Sequence, residues 1–492
     1  MKKFLLVLFL AFTTIAGFGQ QFSQYNTGSL YESFENPSVR VFIPDSSKMF
    51  ATNFFIPSFN ANFYLAGNAQ AALKSRIFNS YYNTADLKVG QGALNHFGFN
   101  LNSYDLMFKA FSSFNGNVEL GFFISTNAEG RGIATDETLA LFNGPGQFPN
   151  NSYSNIFNDN YMYQVYQSIG VTYREQINDR FSLGIKVSAL SGVTYNKLEI
   201  SQSQITFDKA ADTASLSMSG RYYSSGDEGQ SGAQTFIPKF HNPGLAVSIG
   251  ASVKTDDGFT IQTNLKNVGF IHWNSTSTIV PFYNFGAPTT ITGLSTPSRE
   301  DNIYNNVDAL VTANSRQITT DFTSHTNGTF ELSANKSYWL GSQENIKFSP
   351  TLILSKELFY DGFTGALIAP FQLSKYSVTL TSSYNNYQML SFGGQFMIKT
   401  PNTDFFIGSE RLFQSINLLR AGIHSSSDPN QSQYTTPHSG FTGMDYFVGI
   451  SFKFGSVIEP NMNTSYVPNG DKGFFGRLIE HIFPSKDPLG VN

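Results

Sequence analysis

Apolar and polar residues alternate with a period of two in several separated runs. Over 181–189, Phe181, Leu183, Ile185, Val187 and Ala189 alternate with Ser182, Gly184, Lys186 and Ser188. Leu245, Val247, Ile249, Ala251 and Val253 oppose Ser248, Gly250, Ser252 and Lys254, and Leu390, Phe392, Phe396 and Ile398 oppose Ser391, Gln395 and Lys399. Near the end, Tyr446, Val448, Ile450, Phe452 and Phe454 enclose Ser451 and Lys453. A period of two is the strand period, so each run predicts a β-strand with one greasy and one polar face. Each run is also long enough to cross a bilayer, which takes about 9–11 tilted residues.

A water-soluble sandwich alternates in the same way, so the lengths of the connections carry the distinction. Short turns are predicted near 113–116, 176–179, 256–257, 341–344, 374–375 and 400–402. Between them lie longer segments, near 66–96, 128–161, 195–243, 273–326 and 413–443, with brief exceptions at 360–361 and 385–386. Short turns at one end and long loops at the other are the pattern of an outer-membrane barrel. The count comes to about 14 strands, from near Lys48 to near Gly455, and an even number returns both ends of the wall to one side of the membrane. The predicted fold is therefore all-β: a transmembrane antiparallel β-barrel over 48–455 with long outer loops and a short C-terminal periplasmic helix. Phe and Tyr near the strand ends are expected to form interfacial girdles. No repeat of fixed length is present, which excludes propellers and solenoids.

Composition narrows the setting. Only 13% of residues are charged, against roughly 25% in an ordinary globular domain. Aromatics reach 15%, with 49 Phe, yet mean hydropathy is only −0.18. Beyond the first residues no unbroken apolar 18-mer occurs, so helical spans are not expected. The beginning, basic Met1-Lys2-Lys3, an apolar run over 4–15 and small residues at Ala16, Gly17 and Gly19, predicts a signal peptide over 1–19. Export to the outer membrane of a Gram-negative envelope follows, as a porin-like protein in contact with outer-membrane lipid. With no cysteine there is no disulfide framework, no thiolate metal site and no lipid attachment at a leader cysteine. A net charge of −4 and a pI near 6.0 leave no basic footprint for nucleic acid.

Several segments fall outside the predicted wall. Residues 20–47, with Asn36-Pro37 and Ile43-Pro44-Asp45, read either as an ordered lead-in or as a plug for the lumen. A short helical pattern covers 69–81, and the runs 198–207 and 214–222 read as a hairpin projecting from the rim. The stretch 273–326 is too long to be an idle loop. After Gly455 the chain continues for 37 residues, a periplasmic tail over 456–492. There Phe475, Leu478, Ile479 and Ile482 share one face of a short amphipathic helix, expected to dock on a periplasmic or membrane partner or to close the barrel mouth.

Chemistry is sparse. His96, His241, His272, His325, His424, His438 and His481 have no metal-ligand spacing. The glycine pairs lack a phosphate-loop context, and Asp256-Asp257-Gly258 reads as a tight turn. No catalytic residue, cofactor or metal is expected, and the protein is not read as an enzyme.

Three passages resemble an uncharacterised Bacteroidetes family of outer-membrane proteins known only as a domain of unknown function. They are Glu35-Asn36-Pro37 through Phe42-Ile43-Pro44-Asp45; Phe97-Gly98-Phe99 with Leu120-Gly121-Phe122-Phe123-Ile124 and 139–146; and Pro243-Gly244-Leu245-Ala246-Val247 continuing to Gly269-Phe270-Ile271-His272-Trp273. The resemblance implies a barrel similar in size to the fatty-acid-transporter type and carries no ligand residues with it. Three functional readings remain, one of them a surface adhesin or glycan binder that would rest on the outer loops. The tail and large loops point to a structural or partner-binding component of an envelope export, assembly or uptake complex. The family likeness points to a stand-alone channel or transporter for small, including hydrophobic, molecules.

Overall fold

The computed structural model describes residues 25, 27–41, 48–79, 81–111, 117–225, 238–312, 318–341, 345–425, 442–457 and 473–482. The expected signal peptide, the turn at 113–116 and most of the 413–443 loop and of the tail lie outside these residues.

Fourteen strands pair in sequence order and close on themselves as an antiparallel barrel. In order they are β1 (Lys48–Thr52 and Ser58–Ala66), β2 (Leu94–Phe111), β3 (Val118–Thr135), β4 (Asn160–Gln176), β5 (Phe181–Asp208), β6 (Asn242–Lys254) and β7 (Phe259–Trp273). They continue as β8 (Phe322–His325, Thr329–Lys336 and Tyr338–Leu340), β9 (Ile346–Phe348 and Thr351–Glu357), β10 (Phe363–Leu373), β11 (Tyr376–Asn385), β12 (Leu390–Lys399), β13 (Thr403–Ser409) and β14 (Thr442–Val457). Closure is made at β1, where Phe50 faces Ala110 of β2 on one side and Phe454 of β14 on the other. Closure removes the unpaired strand edges, which hydrocarbon cannot solvate.

The side chains are distributed in reverse of a soluble protein. Ile249 is 48% exposed and Leu380 58%, while the adjacent Ser248 and Thr379 are fully buried. The same inversion holds for exposed Leu245, Phe392 and Phe396 against buried Ser188, Ser391 and Gln395. An apolar outer wall around a polar interior is stable only where the surrounding solvent is lipid. Exposed Phe259, Trp339, Phe371 and Tyr376 flank the short turns, as an interfacial girdle does. Replacing Ile249, midway along β6, by Arg is expected to cost about 2–4 kcal/mol of folding stability in a bilayer. Urea titration of the chain folded into phosphatidylcholine vesicles measures it, and an unchanged midpoint would remove Ile249 from the lipid face.

The turns at 177–180, 255–258, 374–375 and 400–402 lie at the end where β1 starts and β14 finishes, here called the terminal end. In the second of them the Gly258 N–H closes on the Thr255 carbonyl at 3.1 Å with Gly258 at φ +81°, a left-handed position that favours glycine. At the opposite end the long connections build a cap. β5 outruns the wall: its residues 181–192 pair with β6, and its residues 196–208 turn to pair with Thr213–Ser224. That strand pairs in turn with Thr278–Tyr283 and Thr289–Thr292. The expected hairpin is thus present, but one face of it is covered. Ile205, Phe207, Leu216 and Met218 pack with Phe148, Phe282, Ile291 and Leu294 in a separate core, joined by residues of two helices, α3 (Asp136–Leu141) and α4 (Arg299–Thr312). Before these in the chain stand α1 (Leu30–Glu35), and α2 (Gln70–Asn79) within the predicted 69–81 segment. Helix α5 (Leu412–Ser425) lies in the 413–443 connection, where no helix was read.

Candidate functional site in the barrel lumen

The lumen is occupied by the chain itself. All six residues of α1 are buried inside the wall. The helix is short, and its first turn is organised by one carboxylate. Ser29 Oγ accepts from the Glu32 N–H, while Glu32 accepts from the N–H groups of Tyr25, Thr27 and Gly28. Together with the return contact of Glu32 to the Ser29 N–H this is a capping box. Around α1, Tyr31 and Phe34 pack on inward aromatic side chains of the wall, with ring centroids 5.5 Å apart for Tyr31 and Tyr104 and 5.6 Å for Phe34 and Phe123.

Polar bonds fasten this segment to strands on many sides. Glu35 pairs with Lys266 of β7 and accepts from Tyr104 Oη of β2 at 2.7 Å. Burial pushes the Glu35 carboxyl up, but the Lys266 and Lys186 ammonium groups outweigh burial and hold it at about 2. Asn264 Nδ2 donates to the Glu35 carbonyl at 3.0 Å. Further along, the Ser38 carbonyl accepts from Arg174 Nε of β4 at 2.9 Å and from Ser182 Oγ of β5 at 3.3 Å. Lys399 of β12 donates to the carbonyls of Thr27 and Gly28 at 2.6 and 2.9 Å. Behind the segment, Glu119 of β3 accepts from Lys109 of β2 at 3.4 Å and from the Val41 N–H at 3.3 Å. The chain also lies against the wall backbone itself. A Cβ on Gly184 would come within 2.1 Å of the Pro37 carbonyl oxygen, and one on Gly250 within 2.3 Å of Asn36 Oδ1. Both glycines stand on the inward row of the alternation, where close approach requires them.

Toward the cap the lumen narrows again. Arg131 binds Glu357 at 2.7 Å and lies 3.7 Å from the Tyr360 ring centroid, and the tilted rings of Tyr64 and Tyr387 have centroids 6.0 Å apart. Between this constriction and α1 the voids measure about 10, 20 and 30 Å³. Each has room for about one water molecule. Below the segment, toward the terminal end, a larger cavity of about 390 Å³ opens, lined by residues of β4 to β9, by Lys399 of β12, by the turn residues Asp179 and Arg180, and by Thr27, Gly28 and 38–41.

The tail helix α6 (Phe474–Ile482) sits elsewhere, on the outside of the wall. Glu175 of β4 accepts from the Phe475 N–H at 2.7 Å and the Gly476 N–H at 2.9 Å, a carboxylate placed on a helix N-terminus. Tyr173 and Glu175 alternate with inward Arg174, so they belong to the same outward row as Val171, which is 56% exposed. Of the tail residues read from the sequence, Phe475 packs edge-on against Tyr173 at 5.4 Å, Ile479 is half-buried and Leu478 is exposed. The Ile482 side chain lies outside the described residues. Phe474, which was not read as part of that face, is 61% exposed.

The lumen residues were not singled out in the sequence. Their signal is nevertheless present. In a chain this poor in charge, Lys109, Glu119, Arg174, Lys186 and Lys266 all fall within strands, and a charge at membrane depth needs an inward partner. Among the described residues no group of three His, Asp or Glu side chains is placed to hold a metal ion.

No curated protein matches the chain in sequence. Solved structures similar to it include the Ralstonia pickettii toluene transporter TbuX, with a TM-score of 0.41 and 8% identity over 87% of this chain and 94% of that one. A Pseudomonas aeruginosa FadL homologue gives a TM-score of 0.38 and 11% identity over 87% and 94%. The TodX deltaS2S3 mutant monoaromatic hydrocarbon channel gives 0.41 and 7% over 90% and 96%. Residues 42–410, three quarters of the sequence, match DUF5723, and the chain belongs to this family of unknown function.

Proposed function

We propose that this protein is a gated channel of the bacterial outer membrane, closed at rest by its own segment 25–41 and serving the passage of small molecules. The observation that carries the reading is the chemistry of that closure. A barrel built only as a pillar gains most from an apolar filling, because buried ion pairs add little net stability over apolar residues of similar volume. Here Leu30, Tyr31, Phe34 and Val41 pack on apolar wall residues such as Met107, Phe123 and Met397, but the segment is also held by ion pairs and hydrogen bonds to inward Lys266, Arg174, Ser182 and Asn264. Water can replace each of these polar partners when the segment leaves, so this part of the emptied lumen is wettable at modest cost. Currents through the reconstituted chain with and without the segment test the proposal.

The partner role read for the tail takes a narrower form, in which the partner is lipid. Helix α6 rests on the outward row of β4, directly continuous with Val171 and, across the ladder, with exposed Leu120 and Phe122. Exposed Phe474 and Leu478 then extend the barrel's apolar belt at the terminal end, where an amphipathic helix lies in the membrane interface. Phe474→Trp in a Trp339→Phe background, compared with that background alone, which retains only buried Trp273, is expected to add short-wavelength emission in vesicles that brominated phosphatidylcholine quenches. Quenching by aqueous iodide instead would place this face in water or on a protein partner.

A further inference from the structure

The cavity of about 390 Å³ at the terminal end combines six cationic side chains, Arg40, Arg174, Arg180, Lys254, Lys347 and Lys399, with one carboxylate, Asp179, among its described lining residues. Some of these cations are engaged. Arg180 pairs with Asp256 at 2.6 Å, and Lys399 binds the carbonyls of Thr27 and Gly28. Others are not fully used. Arg174 is 3% exposed, its Nη1 makes no hydrogen bond, and the nearest carboxylate oxygen of Glu119 stands 3.6 Å from it. Lys254 and Lys347 line the same cavity and form no ion pair among the described residues. Cations of one sign gathered around one cavity repel one another and focus a field that attracts an anion.

The rest of the lining fits the same ligand. Ser38, Ser252, Thr260 and Gln262 contribute hydroxyl and amide groups, and the volume falls within the range of small-molecule sites, about 300–1,000 Å³. We propose that this cavity is a binding site for a small free solute bearing two or more oxyanion charges, phosphates or carboxylates, entering from the terminal end. Arginine forks and lysine ammonium groups facing inward from separate strands suit separate anionic groups of one molecule. The site belongs to the closed barrel and does not depend on whether the barrel conducts.

Pyrophosphate is the probe. Titration calorimetry of the full chain in an uncharged detergent is expected to show saturable binding at one site per chain, weakening with salt. Lys254→Gln and Lys347→Gln are expected to weaken it by about tenfold for each cation removed. Lys336→Gln, whose side chain lies over the ring of Phe259 on the girdle, serves as the control and should leave it unchanged. Heat-dependent gel mobility confirms that each variant retains its barrel. Failure of the folded chain to bind pyrophosphate saturably, or an equal loss in Lys336→Gln, would overturn the site.

Discussion

Deleting residues 25–41 is expected to turn a barrel that is electrically silent in planar bilayers into one that conducts steadily. The voids between the segment and the Arg131–Glu357 constriction, about 10 to 30 Å³, admit single waters and no solute. Removal of the segment uncovers apolar wall residues such as Met107, Ile353 and Met397 together with polar inward rows such as Ser182, Lys186 and Ser188 on β5. Water therefore enters without a dewetting barrier along these rows. The wall should survive, because its ladder from β1 around to β14 is made by strand pairing that does not involve the segment. Heat-dependent gel mobility separates a folded, open barrel from a misfolded one. A folded deletion variant with no more current than the intact chain would sink the channel reading.

The second large effect is expected at the Glu35–Lys266 pair. Both groups are almost wholly buried, at 1% and 6% exposure of their side chains. Removing one partner of a buried ion pair leaves the other charge desolvated, at a cost of about 3–5 kcal/mol. Glu35→Ala should therefore loosen α1 from the wall, seen as faster hydrogen exchange across Leu30–Glu35 and as transient openings in bilayer recordings. Adding Lys266→Met to Glu35→Ala removes the stranded charge and should restore part of the protection. Equal exchange in wild type and Glu35→Ala would show that the pair does not hold the segment. The pH dependence has a definite sign. The folded pKa of Glu35, about 2, lies below the unfolded value of about 4.3. The stabilisation is thus fully present above the unfolded value and is lost only as pH falls through the folded one. This lock does not open between pH 5 and 8.

The barrel was legible because its signals are local. A side chain's face on a strand depends only on the parity of its position, so runs such as 181–189 and 245–253 separate inside from outside without any knowledge of neighbours. The alternation of short and long connections then carried the parity of a wall whose strands run from Lys48 to Val457. Asp256-Asp257-Gly258 was equally readable, because a tight turn requires a particular residue type at a particular place.

The contents of the lumen were not legible, and the reason is sequence distance. Glu35 meets Lys266, Arg174 meets Ser38, and Lys399 meets Thr27, contacts whose partners are named by strand order and register and by no local pattern. The cap behaves likewise: Leu216 and Ile291 form one core only because separate loops converge above the same rim. The tail shows the same division in one helix. Its amphipathic spacing follows from the residues 474–482 alone, but the surface it rests on was decided by Glu175, an outward carboxylate of β4 about 300 residues earlier. Periodicity by itself determined a lipid-facing barrel, its size and its two unlike ends, since these depend on backbone geometry. Only the tertiary structure decided which described segment lies in the lumen, what fastens it there and where a cationic cavity remains, since these depend on charges brought together by pairing strands far apart in the chain.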